Sequence, residues 1–366
     1  MPEIMPEAAA TETAATETAS FVCPAPLQQR GRIVLGHGSG GRLSAELLHD
    51  VFLPIFSNPV LDRMDDQAIV QIGGSRVAFT TDSFVVQPLF FPGGDIGSLA
   101  VHGTVNDLAM GGARPLFLSA GFILEEGFST EALRRIASSM AEAAAAAGVM
   151  IVTGDTKVVE RGKGDGLFIN TTGIGIVPDG VHLGASQARP GDRVILSGAI
   201  GDHGIAILAK RAGLEFETEI LSDSAALHNL VAAMLAASSR TDAIRCLRDP
   251  TRGGVSSALN EIAAQSKVSI QIEETCIPVR EEVRGACELL GLDPLYVANE
   301  GKLLAIVAPE AAEEILAAMQ RDPRGAEAAI VGTVGNQSAG MVTMKTAFGS
   351  TRIVDMLAGE QLPRIC

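Results

Sequence analysis

The glycine-rich segment from residue 36 to residue 41, Gly-His-Gly-Ser-Gly-Gly, constrains the fold more than any other stretch of this chain. It matches the G-x-G-x-x-G pattern of dinucleotide-binding turns and precedes a helix-like pattern over Leu43–Phe56. The next segments, Ala68–Ile72 and Arg76–Thr81 around Gly73-Gly74, predict a β-hairpin. A dinucleotide-binding fold requires a helical crossover to a parallel strand at this point, so that fold is excluded.

The same segment is not a P-loop, because Arg42 and Leu43 stand where Lys and Ser or Thr belong. Two interpretations remain open. The segment is either a flexible loop or a mobile lid over phosphates, in which Gly38, Gly40 and Gly41 would approach the ligand.

Helical patterns alternate with strands and hairpins along the chain, which predicts an α+β fold. The length of 366 residues suggests about two domains. A boundary is expected near residues 188–192. The predicted organisation is a disordered extension (1–30), an N-terminal domain (31–188), a C-terminal domain (189–346) and a tail (347–366).

Composition excludes several classes of partner. The net charge of −15, the absence of Trp and the single Tyr argue against nucleic acid and against a membrane surface. We find no apolar run long enough for a membrane helix and no signal peptide. The five cysteines form no C-x-x-C pair, which disfavours structural zinc and suits a reducing compartment such as the cytoplasm.

Acidic residues cluster at one end of the predicted hairpin, the end where its two strands begin and finish. Asp65 and Asp66 precede its first strand, and Asp82 follows its second. Carboxylates in such a place suit Mg²⁺, which takes one or two of them together with phosphate oxygens. The alternative is that they are ordinary turn residues.

A second polar set lies on a predicted helix over Asp95–Met110, where His102 and Asn106 share a face and Asp107 adjoins them. This set is either a buried hydrogen-bond network or part of a site. Further along, a strand delivers Asp155 and Lys157 in a Gly-Asp-x-Lys segment, which places an acid and a base together at a sheet edge.

The second half offers an anion site and a candidate base. The stretch Arg248–Gly254 opens a helix with glycines, and Arg252 adds a fork for phosphate contacts. A predicted hairpin over Leu295–Val307 carries Glu300 at its turn. Glu300 is either a plain turn residue or, if desolvated, a general base.

The sequence ends in Cys366, preceded by Pro363, which would stiffen the tether. A terminal thiol on a mobile segment can visit more than one site and carry a group covalently. The alternative is an unused thiol on a frayed end.

Taken together, these motifs resemble the hydrogenase maturation factor HypE family, within the ATP-using superfamily of aminoimidazole ribonucleotide synthetase, selenophosphate synthetase and thiamine-monophosphate kinase. The resemblance covers about residue 31 to the last residue. The stretches that carry it are His37–Gly41, Met64–Asp66, Thr80–Asp82, Asn106–Gly112, Gly154–Lys157, Arg248–Gly254, Ala298–Lys302 and Pro363–Cys366.

The resemblance implies a PurM-like fold of two α+β domains, with N-terminal strands of two subunits joined into a barrel, and ATP and Mg²⁺ as cofactors. It implies that Cys366 receives a carbamoyl group from the carbamoyltransferase HypF and that ATP drives dehydration to a thiocyanate. The cyanide then passes to iron on a HypC–HypD scaffold. Glu300 would be the base, Cys366 the carrier, and Lys157 would stabilise phosphoryl charge or move a proton.

The implied ligand roles are as follows. Phosphate contacts would come from Gly38, Gly40, Gly41, Asp82, Asn106, Asp155 and Arg252. Metal contacts would come from Asp65, Asp66, Asp82, Asp107 and Asp155. Two alternatives stay open: another small-molecule kinase or synthetase of the superfamily, and a non-catalytic thiol carrier.

Overall fold

The structure is a computed structural model that describes residues 31–214, 218–359, 362 and 364–366. Residues 35–366 form one compact unit. The predicted extension over 1–30 and the stiffening role of Pro363 lie outside the described residues.

The helices and strands of the described chain fall into two groups around two large sheets, and β3 and β4 pair as a separate two-stranded sheet. The α-helices are α1 (Arg42–Leu47), α2 (Leu53–Phe56), α3 (Ile96–Met110), α4 (Thr130–Ala146), α5 (Asp202–Ala212), α6 (His228–Ala237), α7 (Gly254–Ser266), α8 (Glu281–Leu290) and α9 (Ala312–Met319). The β-strands are β1 (Ala68–Ile72), β2 (Ser75–Phe84), β3 (Phe90–Phe91), β4 (Gly94–Asp95), β5 (Arg114–Glu125), β6 (Met150–Val159), β7 (Leu167–Ile176), β8 (Arg193–Leu196), β9 (Ile244–Arg248), β10 (Ser269–Glu273), β11 (Leu304–Val307), β12 (Ala329–Gly335), β13 (Val342–Lys345) and β14 (Thr351–Ile353).

The first sheet has five strands in the order β1-β2-β7-β5-β6. Its β1–β2 hairpin is the predicted one, with Ile72 opposite Ser75. Gly73 and Gly74 both have positive φ angles, of 57° and 85°, which is the backbone that a tight hairpin turn requires. The hairpin excludes a dinucleotide fold in the structure as it did in the sequence.

Helix α3 packs against the inner face of this sheet. It begins where predicted, because the Asp95 side chain accepts hydrogen bonds from the N–H groups of Gly97 and Ser98, in a capping box. Its small residues allow close packing: a Cβ on Gly103 would lie 2.9 Å from the Phe84 ring. The core between α3, α4 and the sheet is therefore tight.

The second sheet has seven strands in the order β14-β13-β10-β12-β8-β11-β9. Helix α7 covers it through Val255, Leu259 and Ile262, which pack with the strand residues Ile270 and Ile306 in one core cluster. The sheet also takes up Thr351–Ile353 as β14, so the beginning of the predicted tail segment belongs to the sheet.

Two local predictions differ from the structure. The buried strand expected over Met150–Val152 is a longer, exposed edge strand that runs on through Asp155 and Lys157 to Val159. The expected strand over Leu295–Ala298 is instead a 3₁₀ turn, Pro294–Tyr296, because Pro294 opens it and the Asp293 side chain accepts from the Leu295 N–H. Glu300 is thus not at a hairpin tip.

The first sheet is open, with β1 and β6 as edge strands in the described chain. Its outer face carries a row of apolar side chains across four strands: Phe79, Ile174, Phe117 and Met150 are level with one another. All four are more than a third exposed. A barrel shared with a partner subunit stays a prediction. In the part of the chain that is described, no helix is long and apolar enough to cross a membrane.

Candidate active site

A cleft of about 250 Å³ opens between α3 and the β2 end on one side and the β9–α7 connection on the other. Its walls carry six carboxylic acids, two guanidinium groups and one thiol. These are Asp66, Asp82, Asp107, Asp249, Glu261 and Glu300, then Arg248 and Arg252, then Cys366. Acids outnumber cations, so the protein groups alone make the cleft an unfavourable place for negative charge.

The acids come from elements far apart in sequence. Asp66 follows Met64, whose left-handed φ of 51° turns the chain into β1. Asp107 lies on α3, where its Oδ2 is 2.8 Å from the Thr80 hydroxyl. Asp249 follows β9 directly. The sequence predicted the first two positions but did not single out Asp249.

Burial and mutual repulsion control the protonation of this cluster. Burial is the largest cause that raises the pKa of Asp66 and of Asp107 well above the usual range, with neighbouring carboxylates adding to it. The pKa of Asp249 is raised to about 6 by burial, against the lowering effect of Arg248. A bound cation would relieve this repulsion.

The two arginines hold the cleft together. Arg248 places its Nε 3.1 Å from Asp66 Oδ1 and also pairs with Glu261. Arg252 donates from Nη1 to the Gly38 carbonyl at 3.2 Å. Arg248 is therefore satisfied by protein groups, whereas Arg252 is shared between the glycine-rich segment and the cleft.

The glycine-rich segment lies directly on this second arginine. A Cβ on Gly40, whose φ is 72°, would lie 2.5 Å from the Arg252 Cβ. A Cβ on Gly41 would lie 2.3 Å from the Leu357 carbonyl oxygen. Only glycine permits these approaches. The segment thus packs directly against the β9–α7 loop, and its role as a mobile lid over phosphates stays a prediction.

Glu300 is buried, and its backbone is held from both sides. Its N–H donates to Asp223 Oδ1 at 3.0 Å, and its carbonyl accepts from Asn106 Nδ2 at 3.2 Å. In the described chain its Oε1 is buried without a hydrogen-bond partner. Burial, followed by the nearby Asp249 and Asp82, raises the pKa of Glu300 well above its usual range. Glu300 is therefore a strong base when it is ionised.

The tail enters the cleft and places Cys366 there, only 6% exposed. The Val85 N–H donates to the backbone oxygen of Cys366 at 2.9 Å, and the Gln87 N–H to that of Arg364 at 3.3 Å. Arg364 pairs with Asp165. Cys366 also lines a second cavity, of about 120 Å³, together with Arg252.

Burial raises the pKa of the Cys366 thiol to about 12, although Arg252 lowers it. Glu300, Asp82 and Asp249 add to the rise. The docked thiol is accordingly protonated and a poor nucleophile. A sulfur in this position is suited to presenting an attached group rather than to acquiring one.

Several predicted site residues lie elsewhere. Asp65 faces away from the cleft, in a 2.9 Å ion pair with Arg63 and a hydrogen bond from the Ala185 N–H. The Asn106 amide is hydrogen-bonded to backbone groups. Its Nδ2 donates to the carbonyls of Ala225 and Glu300, and its Oδ1 accepts from the Leu227 N–H. It positions Glu300, and no free group of its side chain remains for phosphate.

Asp155 and Lys157 also lie outside the cleft, paired with each other on the exposed strand β6. Along the sheet, Asp155 is level with Gly121, Asn170 and Ser83. Side chains that are level share a face, and neighbours along a strand alternate. Asp155 and Lys157 therefore point to the outer face, opposite to Asp82.

Two residues of the cleft were not singled out from the sequence: Asp249 and Glu261. The motif Arg248–Gly254 contained the signal for Asp249, since it places an acid between two arginines next to an anion site. Nothing local marks Glu261, whose place in the cleft depends on its ion pair with Arg248.

A metal site is not preformed. In the described residues, no three His, Cys, Asp or Glu side chains are arranged to hold an ion. The donor set of the cleft nevertheless fits Mg²⁺, since Asp66, Asp82, Asp107 and Asp249 supply hard oxygen ligands, while the one thiol among the described lining residues, that of Cys366, is protonated. Asp65 and Asp155 do not belong to this set.

Comparison with known proteins identifies a matching family over most of the chain. A family model described as "AIR synthase related protein, N-terminal domain" matches residues 64–177, and its C-terminal counterpart matches residues 189–345. The "Carbamoyl dehydratase HypE" of Azotobacter vinelandii is 61% identical over 338 residues, which cover 92% of this chain and 98% of the relative.

Two solved structures are similar throughout. The HypE–HypF complex matches with a TM-score of 0.80 at 50% identity, over 85% of this chain and 99% of that chain. A HypE in complex with ATP matches with a TM-score of 0.77 at 51% identity, over 92% and 100%. The two-domain α+β architecture is thus the PurM-like one, and the chain belongs to the HypE carbamoyl dehydratase family.

Proposed function

We propose that this chain is an ATP-dependent carbamoyl dehydratase that acts on its own last residue, converting a Cys366 S-carboxamide to a thiocyanate. The observation that carries the proposal is the placement of the Cys366 sulfur in one cleft with Glu300, Arg252 and the acid cluster. The name of the relatives and the ATP complex of one of them support it.

The reaction balances without a redox partner. The carboxamide oxygen attacks the γ-phosphorus of ATP, forming a C–O–P linkage as the bond to ADP breaks. Two protons then leave the nitrogen, the C–O bond breaks with phosphate as the leaving group, and the carbon–nitrogen triple bond forms. The products are the thiocyanate, ADP and phosphate.

Glu300 is the proposed base, since its unpartnered oxygen is buried in the cleft that receives the sulfur. A carboxylate with a raised pKa accepts a proton from a weakly acidic nitrogen more readily than an ordinary one. Arg252 is the proposed anion contact for the phosphoryl group.

Mg²⁺ would be held by Asp66, Asp82, Asp107 and Asp249. When bound, it supplies Lewis-acid neutralisation of the phosphate charge that this acidic cleft would otherwise repel. The glycine-rich segment around Gly40 would exclude water, which limits hydrolysis of the phosphorylated intermediate.

A homodimer is proposed on the outer face of the first sheet. The row of Phe79, Ile174, Phe117 and Met150 is an exposed apolar surface of the kind that marks an interface. Asp155 and Lys157 share this face. In a dimer built on it they would lie at the subunit interface, where Lys157 is proposed to serve the site of the partner.

The carbamoyl donor is proposed to be HypF, in line with the HypE–HypF complex. The acceptor of the cyanide is proposed to be the iron on a HypC–HypD scaffold, in a reducing compartment such as the cytoplasm. Delivery of cyanide to a nickel–iron hydrogenase centre is the proposed purpose of the reaction.

Intact mass measurement tests the proposal. The protein is incubated with HypF, carbamoyl phosphate and ATP, and Cys366 is expected to gain one carboxamide and then to lose one water. Retention of the carboxamide with no ATP turnover would favour a thiol carrier. ATP turnover with an unmodified Cys366 would favour a small-molecule kinase.

A further inference from the structure

Helix α5 forms hydrogen bonds to the backbone of the tail at two positions. His203, at the start of α5, places its Nε2 2.8 Å from the Ile365 carbonyl oxygen. Arg211, near the end of α5, donates from Nη2 to the Arg364 carbonyl at 2.7 Å. The residue next to the reactive cysteine is thus held by an imidazole.

The tautomer of His203 follows from its partners. A carbonyl oxygen only accepts, so Nε2 carries the proton and donates to Ile365. The other nitrogen, Nδ1, lies 2.8 Å from the Ser222 hydroxyl and must accept from it. Ser222 Oγ in turn accepts from the Ser224 N–H at 3.1 Å. The chain of hydrogen bonds therefore runs in one direction, towards the tail.

The surroundings hold this ring in place. His203 is fully buried, and its ring meets Phe91 edge-on, with centroids 5.7 Å apart. A Cβ on Gly93 would lie 2.8 Å from the Ser222 backbone nitrogen, so the segment that carries Ser222 is tightly packed. A neutral, oriented imidazole results, because burial lowers the pKa of His203.

The segment of Ser222 also holds the proposed base. Asp223 accepts from the Glu300 N–H at 3.0 Å and forms a 3.3 Å ion pair with Lys302. A Cβ on Gly301 would lie 1.8 Å from the Asp223 carbonyl oxygen. One segment thus fixes the backbone of Glu300 and, through His203, the residue before Cys366.

We propose that His203, oriented by Ser222, is the positioning residue that holds the tail in the cleft with Cys366 beside Glu300. His203 touches neither the sulfur nor the proposed phosphate site, so its role is exerted through the Ile365 carbonyl. This inference deepens the proposed function, but the docking that it describes is measurable without it.

The first experiment measures docking by alkylation of Cys366 with iodoacetamide, in the absence of ATP and partners. Peptide mass spectrometry compares Cys366 with the exposed Cys276 in the same sample, and the buried Cys246 reports whether the fold is intact. Only the undocked thiol reacts, because the docked one is buried and protonated.

His203→Phe keeps an aromatic ring, somewhat larger than imidazole, but loses the donor, which leaves a buried carbonyl unpaired. We expect Cys366 to react about tenfold faster, the order of effect for an orphaned buried hydrogen-bond partner. His203→Gln retains a donor near the Nε2 position, and we expect it to restore much of the protection. His203→Asn, which reaches only the Nδ1 position, should not.

The matched control is His102→Phe. His102 is half-buried and lies 3.0 Å from a hydroxyl of the same segment, that of Ser224, and among the described residues its hydrogen bond is to this segment rather than to the tail. We expect no change in Cys366 alkylation. Equal acceleration by His102→Phe, or no acceleration by an intact His203→Phe, would overturn the inference.

If His203→Phe exposes Cys246, Ser222→Ala decides instead, since it removes the orienting donor and leaves the ring. A several-fold faster alkylation is expected, and an unchanged rate contradicts the proposal. In the complete reaction, His203→Phe should retain carbamoylation of Cys366 but slow dehydration. Absence of dehydration in the wild type as well would refute the proposed function and leave the docking result standing.

Discussion

Asn106 donates a hydrogen bond of 3.2 Å to the backbone carbonyl of Glu300, across almost two hundred residues of sequence. With Asp223 on the N–H of Glu300, this bond leaves only the side chain of Glu300 free for chemistry. Glu300→Gln keeps the shape and the backbone anchors but removes the basic oxygen.

We therefore expect Glu300→Gln to bind ATP with near wild-type affinity and to lose dehydration by about a hundredfold or more, as for a lost general base. The carbamoylated form should accumulate, which intact mass will show. Glu310→Gln, at an exposed site, serves as the control and should convert normally. A normal thiocyanate yield in Glu300→Gln would remove Glu300 from the mechanism.

Asp249 should impose a pH dependence on stability. Its pKa is raised to about 6 in the native state, above the usual carboxyl value near 3.8. The native state therefore binds the proton more tightly, and the stabilisation, full below about pH 4, is lost as pH rises through 6. Above pH 7 the buried charge costs the empty protein about 2–3 kcal/mol by linkage.

Asp249→Asn removes that cost. In urea unfolding, we expect the free energy of unfolding of the variant to rise relative to that of the wild type between pH 4 and pH 7. Above pH 7 the difference should stay constant. The same variant should bind Mg²⁺-ATP more weakly, by about tenfold for a lost carboxylate ligand. Parallel stability curves at all pH values would show that the Asp249 pKa is not shifted.

The outer face of the first sheet should form the subunit interface. Phe117→Lys places a charge in the middle of the apolar row, and we expect sedimentation to show monomers where the wild type shows dimers. Lys345→Ala, at an exposed position of the second sheet, should leave the dimer intact. A wild-type protein that sediments as a monomer would contradict the proposed interface.

Lys157 offers a sharper test of the dimer. If it serves the partner's site, co-refolded Lys157→Ala and Glu300→Gln subunits give heterodimers with one complete site. Random pairing in a two-fold dimer then restores about a quarter of the wild-type rate. Each variant alone should be inactive, and a mixture that stays inactive would place Lys157 at the site of its own chain.

Docking of the unmodified tail should weaken in alkali. Burial raises the pKa of the Cys366 thiol to about 12 in the docked state, whereas a free thiol ionises near 8.5. The free energy that favours docking is thus at its full value below about pH 8. It falls by about 1.4 kcal/mol per pH unit from there towards pH 12. Trypsin cleavage after Arg364, which requires an accessible tail, should accelerate over this range. Cys366→Ser, which does not ionise there, should show no such acceleration.

Sequence patterns predicted the local structure correctly where residues close together in the chain determine it. Gly73-Gly74 fixed the hairpin and Asp95 fixed the start of α3, because turn and cap chemistry act within a few residues. The length of strand β6 was underestimated from the sequence. Its apolar run ends at Val152, but pairing with β5 carries the extended backbone on to Val159. Tertiary context overrode the local composition.

The sequence motifs identified most residues of the candidate site but not their arrangement in space. Motifs pointed to Asp66, Asp82, Asp107, Arg252 and Glu300, and all five line one cleft. From the sequence, Asn106 could not be distinguished from these cleft residues. A buried amide that supports a site has the same sequence signature as one that binds a ligand. The contact of His203 with Ile365 spans 162 residues and leaves no local signal at all.

The tail is held in the cleft through the backbone oxygens of Arg364, Ile365 and Cys366 and through the ion pair of Arg364 with Asp165, rather than through the sulfur. These contacts are the same whether the sulfur carries hydrogen, a carboxamide or a cyano group. Binding energy that is common to substrate and product cannot by itself drive product release. The finished thiocyanate must therefore leave by spontaneous opening of the tail, and an acceptor protein would draw the reaction forward by capturing the opened form.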